Sequence, residues 1–275
     1  VNKVRRIAHT KKVGHLGTLD PIATGVLPMV IERATRLAQF YTRSDKVYEG
    51  MVQFGWSTSS YDRAGEPTSQ PVDVELTPEG LEAALVPFRG EIEQRPPAVS
   101  AKKVAGRRSY DLARENVAVE LAPVRIQVYE LTVLELNGSR ARLRVRCSGG
   151  TYMRSIAHDV GQALGCGAHL TELRRLASGE FTIGQARTLE QLEALATEER
   201  LVEAFVPADQ LLPAFPNVYV DDLTVAQVRN GRNFPASPFR GGPPSKYVKA
   251  VTRTGSLVAI GEAVLPNLYH PVVVL

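Results

Sequence analysis

Gly14-His15-Leu16-Gly17-Thr18-Leu19-Asp20-Pro21-Ile22-Ala23-Thr24-Gly25-Val26 sets three glycines, a proline and two threonines around one carboxylate, Asp20. Glycine admits backbone conformations closed to other residues, and Asp-Pro opens turns. The stretch therefore predicts an irregular loop held in a defined shape to present the acid. Two readings of Asp20 stay open at this level: a side chain that merely starts a turn, or a functional carboxylate, since well-specified irregular segments often carry function. Phosphate cradling is the weaker idea, because the stretch has neither Gly-x-Gly-x-x-Gly nor a Gly-Lys-Ser/Thr ending.

Ahead of this loop, Val1, Val4, Ile7 and Ala8 recur at helical spacing, and Lys3, Arg5, Arg6, Lys11 and Lys12 face no acid within Val1 to Lys12. A basic helix leading into the loop is expected, either a solvated face or a phosphate contact. Behind the loop, Val26 to Ile31 suits a short buried strand, Glu32 to Tyr41 a helix, and Lys46 to Phe54 alternates as a strand. Tyr48 in that strand reads as a core aromatic on general burial habits. Gly55 to Pro71 is a polar, glycine-punctuated loop in which Asp62 suits an Asx-turn. Thr77 caps a helix with Pro78 at its first position.

From Val117 to Gly150 the pattern is β, with Asn137-Gly138 predicting a type I′ hairpin turn. Arg140, Arg142, Arg144 and Arg146 alternate with Ala141, Leu143, Val145 and Cys147, so a two-residue period sends all four arginines to one face. Such a face needs hydration with acidic cross-strand partners such as Glu130 and Glu135, or phosphate. Ser148 to Ser155 ends the strand and opens a helix, with Thr151 as its expected cap. Arg154 falls in the first turn, where a cation opposes the helix dipole, and this suggests a carboxylate partner. His158 and His169 read as structural, because neither has metal-ligand spacing. Thr188 to Ala204 reads as helix; Pro207, Pro213 and Pro216 then signal a join, followed by short β runs.

Four segments carry a resemblance. Gly14 to Leu27, Lys46-Val47-Tyr48-Glu49, Arg95-Pro96-Pro97-Ala98-Val99-Ser100-Ala101-Lys102 with the later Tyr110, and Gly150-Thr151-Tyr152-Met153-Arg154-Ser155 resemble, in order, motifs of the TruB family of tRNA pseudouridine synthases. The last departs from the family's Gly-Thr-Tyr-Ile-Arg-Ser by Met153. The resemblance implies an α+β fold: a mixed, mainly antiparallel sheet flanked by helices, with a small C-terminal β-barrel-like module of PUA type. It implies a catalytic domain over 1–214 and an RNA-binding module over 215–275. It also implies a further strand with an Asp-Lys-Pro-like segment ahead of Val1, so the N-terminus is expected to be incomplete.

The activity implied is isomerisation of uridine 55 in the TΨC loop of tRNA to pseudouridine on a flipped-out base. Asp20 takes the role of the essential catalytic residue, Arg154 pairs with it, and Tyr48 stacks on the base and takes the C5 proton. His15 aids flipping, Tyr152 and Leu173 line the base pocket, Asp62 lies near Arg154, and Lys102 contacts substrate. Asp20 must be ionised to act as a nucleophile, which pairing with Arg154 favours. The reaction changes no oxidation state, so no cofactor or metal is expected. The partner is tRNA, through its T arm and, by the C-terminal module, its acceptor stem.

Composition agrees with these expectations. The net charge of +4 and a pI near 9.1 suit a nucleic-acid partner without demanding one. Two cysteines, Cys147 and Cys166, are too few for a disulfide scaffold or zinc site and suggest a reducing compartment, the cytoplasm by default. No apolar run approaches membrane-span length, so no membrane contact is expected, and a monomer is the working expectation. The rival readings are a non-catalytic RNA-binding or RNA-folding protein, in which Asp20 only orders its loop, and a phosphotransferase using Asp20 as acyl-phosphate site with magnesium.

Overall fold

Lys46–Phe54 forms the nine-residue strand its alternation predicts, and it lies inside the main sheet rather than at an edge. In the computed structural model, which describes all residues except 99–102, 105–106, 109–120 and 237–244, this strand pairs antiparallel with both Arg140–Cys147 and Ala168–Ser178. The seven-stranded sheet runs Phe181–Thr182, Ala168–Ser178, Lys46–Phe54, Arg140–Cys147, Val124–Asn137 and Gly90–Gln94, with Ala23–Gly25 added parallel to Ala168–Ser178. The single parallel pairing makes the sheet mixed while leaving it mainly antiparallel, the α+β class the resemblance implies.

One face of the Arg140–Cys147 strand is apolar and the other charged. Ala141, Leu143, Val145 and Cys147 are all buried. The arginines point away, and three of the four meet acids: Arg146 Nε lies 2.9 Å from Glu130, Arg142 lies 3.7 Å from Glu135 and 3.8 Å from Glu172, and Arg144 Nε donates to Glu49 at 2.9 Å. Cross-strand carboxylates therefore offset the charge stacking. Exposed pairs of this kind contribute at most about 1 kcal/mol each, so the buried face carries the stability.

Against that face pack two helices. Met153–Ala163 buries Met153, Ile156, Ala157 and Val160, the i, i+3, i+4, i+7 stripe of an amphipathic helix. Pro78–Leu85 buries Leu81 and Leu85 and is capped as expected, Thr77 Oγ1 accepting from the Gly80 N–H at 3.1 Å. Both stripes join the same core cluster as Val52, Phe54, Leu143 and Leu170.

Several local expectations are corrected. The hairpin turn is not Asn-Gly type I′: Asn137 pairs with Arg140, so Gly138 and Ser139 are the central residues, and only Gly138 has positive φ, at 56°. Glycine first with an ordinary second residue is the type II′ pattern. The first helix spans only Asn2–Ile7 and ends before His9, whose φ is 47°. Met29–Ile31 replaces the expected Val26 to Ile31 strand, since Pro28 has no N–H to give a ladder. Glu32–Leu37 is a 3-10 helix followed by the α-turn Ala38–Tyr41. Leu189–Thr197, closed by a Thr188/Gln191 capping box, stops before Glu199 at φ 59°, and Leu201–Ala204 continues as a 3-10 turn. Thr151 does not cap its helix; its hydroxyl donates to the Ser148 carbonyl instead.

By compactness the chain divides into two units, each built from separated segments. Gly17–Pro28 and Thr42–Ala186 form the unit just described. Val1–Leu16, Met29–Tyr41 and Arg187–Leu275 form the other. Its principal sheet has five strands, ordered Asn217–Val220, Tyr247–Thr252, Leu257–Leu265, Leu268–Val274 and Phe234–Pro235. Register shifts at Ala250/Val251, Ile260/Gly261 and Ala263/Leu265 bend these strands. The two end strands do not pair with each other, so the sheet is an open half-barrel rather than a closed barrel. It closes over Val228, Phe234, Ala250, Val258 and Tyr269. Within this unit the buried Lys249 Nζ donates to the Leu211 carbonyl at 2.7 Å, and the rings of Phe40, Phe215 and Tyr247 meet edge-on or tilted. Among the described residues no helix is long and apolar enough to cross a membrane.

The two faces of the Arg140–Cys147 strand should respond differently to truncation. Leu143→Ala is expected to cost about 2–5 kcal/mol and Arg144→Ala under about 1 kcal/mol in urea unfolding; comparable losses would show that the charged face is structural.

Candidate active site

Asp20 and Arg154 are separated by 134 residues and meet in a forked pair. Arg154 Nη2 donates to one Asp20 oxygen at 2.8 Å and Nε to the other at 3.1 Å. The guanidinium is 4% exposed and the carboxylate 26%, so the arginine is sunk in the protein while the acid keeps one side open. Arg154 Nη1 donates to the Ser60 carbonyl at 3.1 Å and lies 3.6 Å from Asp62 Oδ2. Burying an unpaired guanidinium costs several kcal/mol, so two carboxylates and a carbonyl around Arg154 explain how a cation is tolerated at a helix start. The suggestion drawn from the dipole is met by Asp20.

The helix begins at Tyr152 without a side-chain cap. Gln94, 1% exposed, replaces it: its amide oxygen accepts from the Tyr152 N–H at 2.8 Å and its amide nitrogen donates to the Tyr152 carbonyl at 3.0 Å. Ser155 Oγ adds a bond to the Arg95 carbonyl at 2.8 Å. These contacts fix the first turn, and with it Arg154.

Asp62 serves two ends. Its Oδ1 accepts from the Ala64 N–H at 2.9 Å, an Asx-turn, and from Ser60 Oγ at 2.6 Å, while Oδ2 faces Arg154. Local turn chemistry and proximity to the arginine are thus both present in one buried side chain.

The Asp20 loop rests on Arg175, which the reading of the sequence did not single out. Arg175 is fully buried; its Nε donates to the Val26 carbonyl at 2.7 Å, Nη2 to Gly17 at 3.1 Å and Nη1 to Thr18 at 3.5 Å. Gly25 pairs with Arg175 at φ 100°, and a Cβ there would sit 2.2 Å from the Arg175 carbonyl oxygen, so only glycine fits. Beside them Lys46, 7% exposed, donates to the Ser44 carbonyl at 2.5 Å; burial, then the Arg175 charge, push its pKa down to about 8.

Tyr48 lies directly across from Arg175 in the sheet and packs on the core cluster that includes Leu173, as do Ile22 and Ala23. Burial raises its phenol pKa, and the Arg175 charge and hydrogen bond act against that rise. Tyr48 also lies close enough to Asp20 to feel its charge. Asp20, Arg154 and Asp62 thus meet directly, Tyr48 and Leu173 share one core cluster with Ile22 and Ala23 just after Asp20, and Tyr152 stands at the helix start. His15 belongs to the other unit, exposed and opposite Met29 in a two-stranded ladder. Lys102 lies outside the described residues.

His158 and His169 fit the structural reading. His169 Nδ1 lies 3.2 Å from the Trp56 carbonyl, and His158 stacks on Tyr61 at 3.7 Å with a buried, unpartnered Nδ1. Burial lowers the pKa of both rings. Among the described residues no group of His, Cys, Asp or Glu could hold a metal ion.

A paired, partly exposed carboxylate beside a buried phenol, on a mixed sheet backed by helices, suits acid–base or nucleophilic chemistry, and comparison with known proteins gives its class. A model of the TruB family pseudouridylate synthase N-terminal domain matches residues 5–153, and one of the tRNA pseudouridylate synthase B C-terminal domain matches 154–213. The chain belongs to the TruB family of pseudouridine synthases. It is 78% identical over 275 residues to tRNA pseudouridine synthase B of Solibacter usitatus, covering 100% of this chain and 94% of that one. The Francisella philomiragia protein of the same name is 47% identical over 202 residues, covering 73% and 67%. Among solved structures, an archaeal box H/ACA sRNP Nop10-Cbf5 complex aligns with TM-score 0.68 at 28% identity, over 95% of this chain and 73% of that one. An H/ACA RNP bound to a substrate RNA containing 2'-deoxyuridine aligns with TM-score 0.70 at 28% identity, over 94% and 72%. The protein is an isomerase that converts uridine in tRNA to pseudouridine, and the non-catalytic and phosphotransferase readings are set aside.

On the helix carrying Arg154, burial pushes Asp159 from 3.8 up to about 6. The folded state then holds a proton that the unfolded chain releases, so this residue's contribution falls as pH rises through that window. Asp159→Asn is expected to melt above wild type at pH 7 and level with it near pH 4; a constant difference across that range would refute the assignment.

Proposed function

We propose that the target is uridine 55 of the TΨC loop and that Asp20 is the nucleophile acting on it after the base has left its stack. The observation that supports this most is the forked Asp20–Arg154 pair, which holds the loop carboxylate against a helix start while leaving it partly exposed. Eversion costs a few kcal/mol and calls for an aromatic platform. Tyr48 supplies that platform beside Leu173, and its oxygen takes the C5 proton once C5 has replaced N1 on the sugar. Tyr152 completes the pocket wall, and His15 fills the gap the base leaves.

Asp62 completes the guanidinium's second side and so holds Arg154 toward Asp20. The basic residues of the first helix, Lys102 and the 215–275 module meet the phosphates of the T arm and acceptor stem, and such contacts weaken with salt. The catalytic part is 1–214, acting as a monomer in the cytoplasm.

Release of tritium from C5-labelled uridine in unmodified tRNA, combined with mapping of the product, tests this reading. Wild type is expected to release label and place pseudouridine at position 55 alone. Asp20→Asn is expected to lose at least about 10³-fold in turnover while binding tRNA within a few-fold of wild type. Turnover by that variant, or product at another position, would overturn the assignment.

A further inference from the structure

Arg175 is a fully buried cation, and among the described residues no carboxylate lies within ion-pairing distance of it. A charge so placed is costly unless every donor finds an acceptor. Of its five N–H donors, three are spent on the carbonyls of Gly17, Thr18 and Val26, which bracket Asp20 on both sides. The remaining reach is toward Tyr48, its direct cross-strand neighbour on the same face of the sheet, whose phenol lies close enough to feel the guanidinium charge. One planar fork thus binds the loop bearing Asp20 and lies beside Tyr48 in the sheet. Leu173, two residues earlier on the same strand, pairs with Ala23 and Gly50, so the pocket wall shares this frame.

We propose that Arg175 is a positioning residue for proton removal: it ties the Asp20 loop to Tyr48 and donates to the phenol oxygen, so that this oxygen presents a lone pair to the C5–H bond. This rests on the role given to Tyr48 above. In the step concerned, the C5–H bond breaks after C5 has joined C1′, and its electron pair restores the C5=C6 double bond. The proton passes to the Tyr48 phenolate oxygen and from there to water, returning the tyrosine to its starting state. A guanidinium donating to that oxygen favours the phenolate over the phenol. Burial works in the opposite direction on the same ring, so the arginine is the group that offsets it. Lysine cannot replace it, since a point charge with one donor cluster cannot span the loop carbonyls and the phenol together.

The test is a double-mutant cycle on the full chain, read by single-turnover tritium release from unmodified tRNA, with tRNA affinity measured alongside. Lysine in place of Arg175 keeps the charge and one loop contact but gives up the fork. Arg175→Lys is expected to slow release about tenfold or more, with affinity within twofold, and to have no further effect in a Tyr48→Phe background. A wild-type rate in Arg175→Lys, or an equal slowing in both backgrounds, would overturn the proposal. A wild-type rate in Tyr48→Phe would instead remove the role of Tyr48 itself. Melting of Tyr48→Phe provides a check that does not need the arginine variant to fold: stranding a buried donor is expected to lower the midpoint by about 2–4 °C, and an unchanged midpoint would refute the contact.

Discussion

The guanidinium of Arg154 is the constraint from which the site follows. A cation 4% exposed at the start of a helix has to be surrounded by acceptors, and Asp20, Asp62 and the Ser60 carbonyl supply them from two loops that share no local sequence. Each loop is thereby held against the helix, and the helix against the sheet through Met153, Ile156, Ala157 and Val160. The pair is thus more than a contact between two side chains. It is the point at which loop shape, helix position and core packing depend on one another.

A second buried cation organises the other side of the same loop. Arg175 binds carbonyls where Arg154 binds carboxylates, and the difference fits their tasks: carbonyl acceptors fix backbone, whereas a forked carboxylate fixes the reactive group itself. Glycine at positions 17 and 25 is required for this arrangement, since the backbone there runs at positive φ and, at Gly25, against the Arg175 peptide. One face of the Arg140–Cys147 strand packs the core, while the other balances charge in water at little energetic consequence.

Much of the fold was legible because its signals are local. Strand alternation in Lys46–Phe54, the Thr77-Pro78 cap and the arginine periodicity each depend on neighbours a few residues apart, and all three appear as read. Element ends that depend on positive φ or on 3-10 geometry, as at His9, Glu199 and Glu32–Leu37, are not legible in the sequence, because no apolar spacing marks such breaks. Thr151 looked like a helix cap by residue type, yet the clamp came from Gln94, 58 residues away.

For the site, the sequence by itself determined the family through motif wording, the outlying acid Asp20, and the anomaly of Arg154 in a first helical turn. Only the tertiary structure decided that Arg154 grips both oxygens of Asp20, that Asp62 serves turn and arginine at once, and that Arg175 lies beneath the loop and against Tyr48. Arg174 and Arg175 are adjacent and chemically identical, and nothing in their local context says which is buried. Sheet register decides it, since successive side chains point to opposite faces and the facing strands determine which side is dry.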